Sequence, residues 1–145
     1  MGDRRRDPAC ALFIDLGHFK QISDGAGHAA GDAILKRIAQ ALQKRVRAED
    51  SVGRLGGDEF AVLLRRCELL KGLQLAEKLR ACVQLHGICE FDPALRVTAS
   101  IGVVAIGAGH HSLAEVLDAA DSACYAAKRE GRNAVRSAGA ELVGQ

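Results

Sequence analysis

The chain has no tryptophan, and only one tyrosine and four phenylalanines among its 145 residues. So few rings exclude a surface that recognises nucleic acid by stacking bases. It also lacks a long apolar run: no stretch approaches the roughly 20 residues of a membrane-spanning helix, and no secretory signal pattern opens the chain. Charge of one sign is missing too, since 20 Lys and Arg face 18 Asp and Glu for a formal net charge of +2. That balance supplies no field to gather nucleic acid or lipid headgroups. The five cysteines, Cys10, Cys67, Cys82, Cys89 and Cys124, are odd in number and have no Cys-x-x-Cys spacing. They read as reduced, mostly core-filling residues of a cytoplasmic protein without a zinc site.

What is present is enough for one domain with a proper core, at 48% hydrophobic and 26% charged residues. "CALFIDL" (10–16) fits a strand buried on both faces, broken by Asp15. From 27 to 47, Ile34, Ile38, Leu42 and Val46 recur every four residues, with Leu35 beside them, predicting a helix. A hairpin follows over Val52 to Leu64. A second helix follows over 68–85, with Leu69, Leu73, Ala76, Leu79 and Val83 inward and Gly87 as its stop. "RVTASIGVVA" alternates as a half-buried strand. A third helix runs from a Ser112 N-cap to about Arg129, its stripe being Leu113, Val116, Leu117, Ala120, Cys124 and Ala127. "NAVR" (133–136) adds a short edge strand. Strands mixed with helices in this order predict an α/β sheet layered with helices.

Four features carry chemistry, and each has a plainer alternative. Asp15 closes a buried strand, while Asp58 and Glu59 sit at a hairpin tip. Neighbouring strands would bring them together for a hard cation such as Mg²⁺, which takes one or two carboxylates and completes its shell with water and phosphate. Spacing alone favours the plainer alternative, an exposed acidic turn plus a capping Asp. Gly56-Gly57 leaves room for a phosphate or base to approach backbone N–H groups, or simply punctuates a turn. The turn-rich "HFKQISDGAGHAAGD" (18–32) leads from that strand to a helix N-terminus, where anions bind, and Lys20 adds a cation. His18 and His28 read as structural or surface residues. Lys128 and Arg132 lie at a helix C-terminus, where cations favour the dipole in any case and would also suit a triphosphate.

Taken together, Gly56-Gly57-Asp58-Glu59-Phe60 with "FIDLGHFKQISDGAGHAAGDAIL", "VTASIGV" and "DSACYAAKREGRN" around it closely resembles the GGDEF family of diguanylate cyclases. These enzymes condense two GTP molecules into cyclic di-GMP. The resemblance runs from Ala11 to Asn133. It implies an α/β (α+β) fold in which a mostly antiparallel sheet of about five strands is flanked by helices, as in the nucleotidyl cyclase and polymerase palm. Residues 1–10 would be a lead-in, 11–137 the catalytic domain and 138–145 a tail. By resemblance, Asp15, Asp58 and the Leu16 carbonyl would ligate Mg²⁺, or Mn²⁺ in its place. Glu59 would be a metal-associated carboxylate and the base for the 3′-hydroxyl. The backbone at His18 and Phe19 would hold phosphates, with Lys20 adding charge, Lys128 and Arg132 on the distal groups, and Gly56 and Gly57 leaving room. Asp32 would read guanine beside Ser23. Arg47 and Asp50 fit the family's inhibitory Arg-x-x-Asp, with Arg80 as a second contact for bound product. The competent species would be a homodimer with one GTP on each protomer.

Three departures bear on this reading. Ser23 stands where the family has Asn, Gly17 replaces the second Asp of Asp-x-Asp, and Leu55 stands where Tyr is common. The family's N-terminal helix and its Asp-x-Leu-Thr segment are missing: "MGDRRRDPA" reads as the tail of that region, and the chain as a trimmed piece of a longer regulated protein. The rival readings are a cyclic di-GMP receptor using Arg47 and Asp50 after catalysis has lapsed, and an interaction domain that dimerises and senses GTP.

Overall fold

In a computed structural model of the chain, the described residues are 8–88, 95–106 and 112–137. Their elements in order are β1 (Ala9–Gly17), α1 (Phe19–Ala26), α2 (His28–Arg45), β2 (Ser51–Arg54), β3 (Glu59–Arg65), α3 (Leu69–His86), β4 (Thr98–Ile106), α4 (Leu113–Arg129) and β5 (Ala134–Ser137). The five strands form one sheet ordered β2-β3-β1-β4-β5. β1 lies at its centre, antiparallel to β3 and β4, and only the β4–β5 edge pair is parallel. The expected mostly antiparallel sheet flanked by helices is the one observed. The lead-in before Pro8, the tail from 138 and Cys89 lie outside the described residues.

Alternation decides which side chains face which layer. Cys10, Leu12, Ile14 and Leu16 of β1 join Phe60, Val62 and Leu64 of β3 and Ala99, Ile101 and Val103 of β4 in the main core. Ile22 of α1, Ile34, Ile38 and Leu42 of α2, and Ala76, Leu79 and Val83 of α3 close it from one side. On the other face α4 is the one helix among the described residues, packing through Val116, Ala120 and Ala123 against Val104, with Ala11 and Phe13 of β1 at the margin.

Four expectations need correcting. β1 is fully buried only on its core face, because one helix cannot cover a five-stranded sheet; Ala11, Phe13 and Asp15 are half-buried. β4 is the reverse case, buried on both faces from Ala99 to Val104 rather than half-buried. Gly102 lets α4 sit directly on it: a Cβ there would lie 2.4 Å from both the Ala120 carbonyl and the Cys124 amide. The turn-rich segment after β1 contains a helix, α1, separated from α2 by Gly27 at φ 97°. Three glycines and scattered polar residues hid it. Ser112 caps α4 as expected, its hydroxyl accepting from the Glu115 amide at 3.1 Å. Leu117 points outward, and Ala123 takes its place in the stripe. The Leu113 side chain is outside the described residues. Cys10, Cys82 and Cys124 are buried free thiols, and Cys67 is a half-buried one.

Candidate active site

Register brings the strand carboxylates together. Asp15 stands directly opposite Glu59 across the β1–β3 ladder, and its other neighbour is Ser100 of β4. Like charges facing each other across a ladder repel unless a cation intervenes. Here Lys128 of α4 supplies one, its Nζ 2.6 Å from Asp15 Oδ2. Partial burial pulls the Lys128 pKa down, but the bond to Asp15 and its charge outweigh this and hold the ammonium above its ordinary value. Burial and the same Asp15 charge push the Cys124 thiol up to about 11, keeping it protonated. Its Sγ donates to the Ser100 carbonyl at 3.2 Å. The Ser100 hydroxyl is buried and unpartnered among the described residues. An open cleft of about 440 Å³, lined by Asp121, Ser122, Cys124, Tyr125 and Lys128, runs along α4 beside this pair.

The hairpin tip is tied to the end of β1. The Leu16 amide donates to the Asp58 carbonyl at 2.9 Å, so Asp58 stays beside Asp15 and Leu16 whatever its side chain does. Neither Gly56 nor Gly57 adopts a positive φ. A Cβ on Gly57 would meet nothing within 4 Å, and one on Gly56 only the Glu59 carboxylate at 3.6 Å. Neither backbone conformation nor internal packing demands these glycines, which leaves open space above the tip as their effect. Arg54 straps the tip from beneath, donating to the Gly56 carbonyl at 2.9 Å and the Gly57 carbonyl at 3.0 Å. Nothing in the residue type or spacing of Arg54, at the end of the edge strand β2, signals this strap.

Just past β1 the backbone reverses at His18, whose φ of 67° is uncommon for a residue with a side chain. The reversal starts α1 at Phe19, with Lys20 exposed on its first turn. The first amides of a helix lack partners within it, so the end of β1 faces a set of N–H donors. Ser23 points from α1 at Gly31 of α2, where its Oγ would lie 2.5 Å from an added Cβ. Asp32, the next residue, is exposed on α2. Arg132 also reaches this end of β1, its Cδ 3.7 Å from where a Cβ on Gly17 would sit. Leu55 is 54% exposed, so it fills no core space.

The proposed inhibitory residues divide. Arg47 and Asp50 form one unit before β2: Asp50 Oδ2 accepts from the Arg47 amide at 2.9 Å and its Nε at 3.0 Å, and Oδ1 from Arg47 Nη2 at 3.1 Å and the Arg65 amide at 3.0 Å. The Asp50 side chain is 1% exposed and fully engaged, whereas that of Arg47 is 49% exposed. Arg47 is thus displayed and Asp50 holds it. Desolvation works against the Asp50 charge, but these hydrogen bonds outweigh it and hold the carboxyl below its ordinary value. A lowered folded-state pKa contributes stability above the unfolded value of about 3.9 and loses it as pH falls through the folded one. Acid titration of Asp50→Asn should therefore show a shallower loss of stability below pH 4 than the parent chain. Arg80 lies elsewhere: it binds Asn133, ahead of β5, at the sheet edge opposite β2.

Among the described residues no group of three or more His, Cys, Asp or Glu side chains is placed to hold a metal ion. The donor set still fits Mg²⁺, which needs only one or two carboxylates when phosphate oxygens and water complete its shell. Asp15, Asp58 and Glu59 supply hard oxygen donors, with a helix N-terminus beside them.

A family profile described as "Diguanylate cyclase, GGDEF domain" matches residues 2–134. Diguanylate cyclase DgcP of Pseudomonas aeruginosa is 43% identical over 136 residues, which span 90% of this chain and 20% of that protein. The probable diguanylate cyclase DgcE of Escherichia coli K12 is 41% identical over 124 residues, 86% of this chain and 11% of that one. The chain thus spans about a tenth to a fifth of these two relatives. Among solved structures, the active GGEEF domain of a diguanylate cyclase from Vibrio cholerae superposes with a TM-score of 0.85 at 32% identity, covering 94% of this chain and 86% of that one. The GGDEF domain of DgcB from Caulobacter crescentus, solved in complex with c-di-GMP, gives 0.82 at 29% identity over 90% and 78%. The strand-end acid, the hairpin signature and the fold agree, and the chain belongs to the GGDEF family of diguanylate cyclase domains.

Proposed function

We propose that this domain condenses two GTP molecules into cyclic di-GMP and pyrophosphate, working as a homodimer with one GTP on each protomer. The observation that carries the reading is the ladder pairing of Asp15 with Glu59, beside a glycine tip that needs its glycines for no internal reason. Asp15, Asp58 and the Leu16 carbonyl would hold Mg²⁺, or Mn²⁺ in its place. Bound there, the metal would neutralise phosphate charge and lower the pKa of the attacking hydroxyl. Glu59 takes the 3′-hydroxyl proton. The amides at His18 and Phe19 seat the phosphates, with Lys20, Lys128 and Arg132 adding positive charge. Lys128 must exchange Asp15 for phosphate oxygen as substrate arrives.

Asp32 reads guanine, because a carboxylate accepts from both N1–H and the exocyclic amine, an edge adenine does not present. Ser23, beside it, offers one hydroxyl. Asp32→Asn should weaken GTP binding about tenfold or more, the order of one bidentate base contact, while leaving the affinity for inorganic triphosphate unchanged. Equal loss for both ligands would remove Asp32 from guanine recognition.

Arg47 binds product and restrains turnover, and Asp50 serves it by holding the guanidinium. Arg47→Ala should abolish inhibition by added cyclic di-GMP and lower the melting temperature modestly, because the buried Asp50 carboxylate loses two hydrogen bonds and keeps those from the Arg47 and Arg65 amides. Asp50→Ala should lower the melting temperature further, since it takes the acceptor from the part-buried amides of Arg47 and Arg65, at a cost of about 1–3 kcal/mol. Inhibition persisting in Arg47→Ala would move the product site elsewhere.

A further inference from the structure

The turn between α4 and β5 is backbone that few sequences adopt: Gly131, Arg132 and Asn133 have successive φ values of 110°, 64° and 48°. The amides of Glu130, Gly131 and Arg132 return to carbonyls of the last turn of α4, which closes the helix end. Gly131 takes this conformation freely, but two consecutive residues with side chains do not, and such backbone persists only where its surroundings hold it. The hold on Asn133 comes from α3. Arg80 Nη1 donates to Asn133 Oδ1 at 2.8 Å and to Gln84 Oε1 at 3.2 Å. Its Nε and Nη2 both engage Glu77. The Arg80 side chain is only 17% exposed. A guanidinium fixed on one edge by a carboxylate presents its other edge as a rigid donor, which lysine cannot imitate.

Arg132 stands between this anchor and the end of β1. It is exposed, and its stem passes beside Gly17, next to the reversal at His18. We propose that Arg80 is a positioning residue for the substrate's distal phosphates. Through Asn133 it fixes the left-handed turn, and the turn aims Arg132 across Gly17 at the triphosphate. The inference rests on the triphosphate reading of this site, and it gives Arg80 a role at the substrate rather than beside Arg47. Glu77 and Gln84 belong to the same device, because they orient the guanidinium.

The test is calorimetric binding of a non-hydrolysable GTP analogue and of GMP to the 145-residue chain, with turnover measured alongside. Arg132→Ala sets the scale. Arg80→Ala and Asn133→Gly, the latter keeping the backbone free to turn left-handed, should each weaken the GTP analogue by about tenfold, of the order of one charge-assisted hydrogen bond. GMP, which lacks the distal phosphates, should bind as before, and KM should rise with kcat nearly unchanged. The double variant should be no worse than either single one, because both remove the same link. Asn133→Asp, which keeps an acceptor for Arg80 and tolerates the turn, should restore GTP binding. Loss shared equally by GMP, an additive double variant, or an Asn133→Asp as weak as Asn133→Gly would overturn the proposal. If Arg132→Ala weakens the analogue while Arg80→Ala does not, the positioning role alone falls. If Arg132→Ala changes nothing, the phosphate reading falls with it.

Discussion

Glu59→Gln should lower production of cyclic di-GMP by about 100- to 10,000-fold, the range a positioned general base contributes, while GTP affinity should change little. The amide keeps the shape of the side chain and removes its basicity. Stability should not fall with activity. Glu59 is exposed and faces Asp15 across the ladder, so neutralising it relieves repulsion between like charges. The melting temperature of Glu59→Gln should equal or exceed that of the parent, measured by thermal unfolding beside the turnover assay. A variant that loses activity by unfolding would instead show both falling together. The pairing of lost turnover with undiminished stability is the mark of a charge held in place for chemistry rather than for folding.

The largest effect on stability is expected at Gly102. A Cβ there would press on two backbone atoms of α4 at 2.4 Å and on the Ala123 Cβ at 2.9 Å. Backbone cannot swing aside as the end of a side chain can, so α4 must lift from β4 as a unit. Gly102→Val should cost more than about 3 kcal/mol, the upper end for overpacked cores, and lower the melting midpoint by about 10 °C or more. Lys128 rides on α4 and Arg132 follows its end, so any folded fraction should also bind GTP more weakly. Gly53→Ala on the edge strand β2 is the control. Nothing lies within 4 Å of a Cβ there, and removing a glycine restrains the unfolded chain, so stability should hold or rise slightly.

How far these features could be read from sequence follows from the physics of each. The helices α2 and α3 were legible because Ile34, Ile38 and Leu42, then Ala76, Leu79 and Val83, repeat at the helical period and face one core. The candidate catalytic acids are legible as a signature, and Asp15 and Glu59 as neighbours only if β1 and β3 pair, which they do. β4 misled because alternation assumes one wet face. Ser100 and Gly102 look like that face, yet small residues are what a closely seated helix requires. α1 is hidden because Gly25 and its polar residues carry little periodic signal, and contact with α2 through Ser23 and Phe19 at Gly31 supplies what propensity lacks. Asp50 was read as a ligand-facing acid, since sequence does not show that its four hydrogen bonds are already taken. The family resemblance pairs Arg80 with Arg47 as a second product contact. Only the fold shows α3 carrying it to Asn133 at the far sheet edge.

The most direct test is to incubate the domain, fused to a parallel coiled coil so that two copies face each other, with GTP and Mg²⁺ and to resolve the products by chromatography. Cyclic di-GMP with two equivalents of pyrophosphate is the expected outcome, with none from the same fusion carrying Asp58→Ala. A fused dimer that binds GTP and forms no cyclic di-GMP would contradict it and favour a receptor that uses Arg47. Product that persists in Asp58→Ala would contradict the placement of the site.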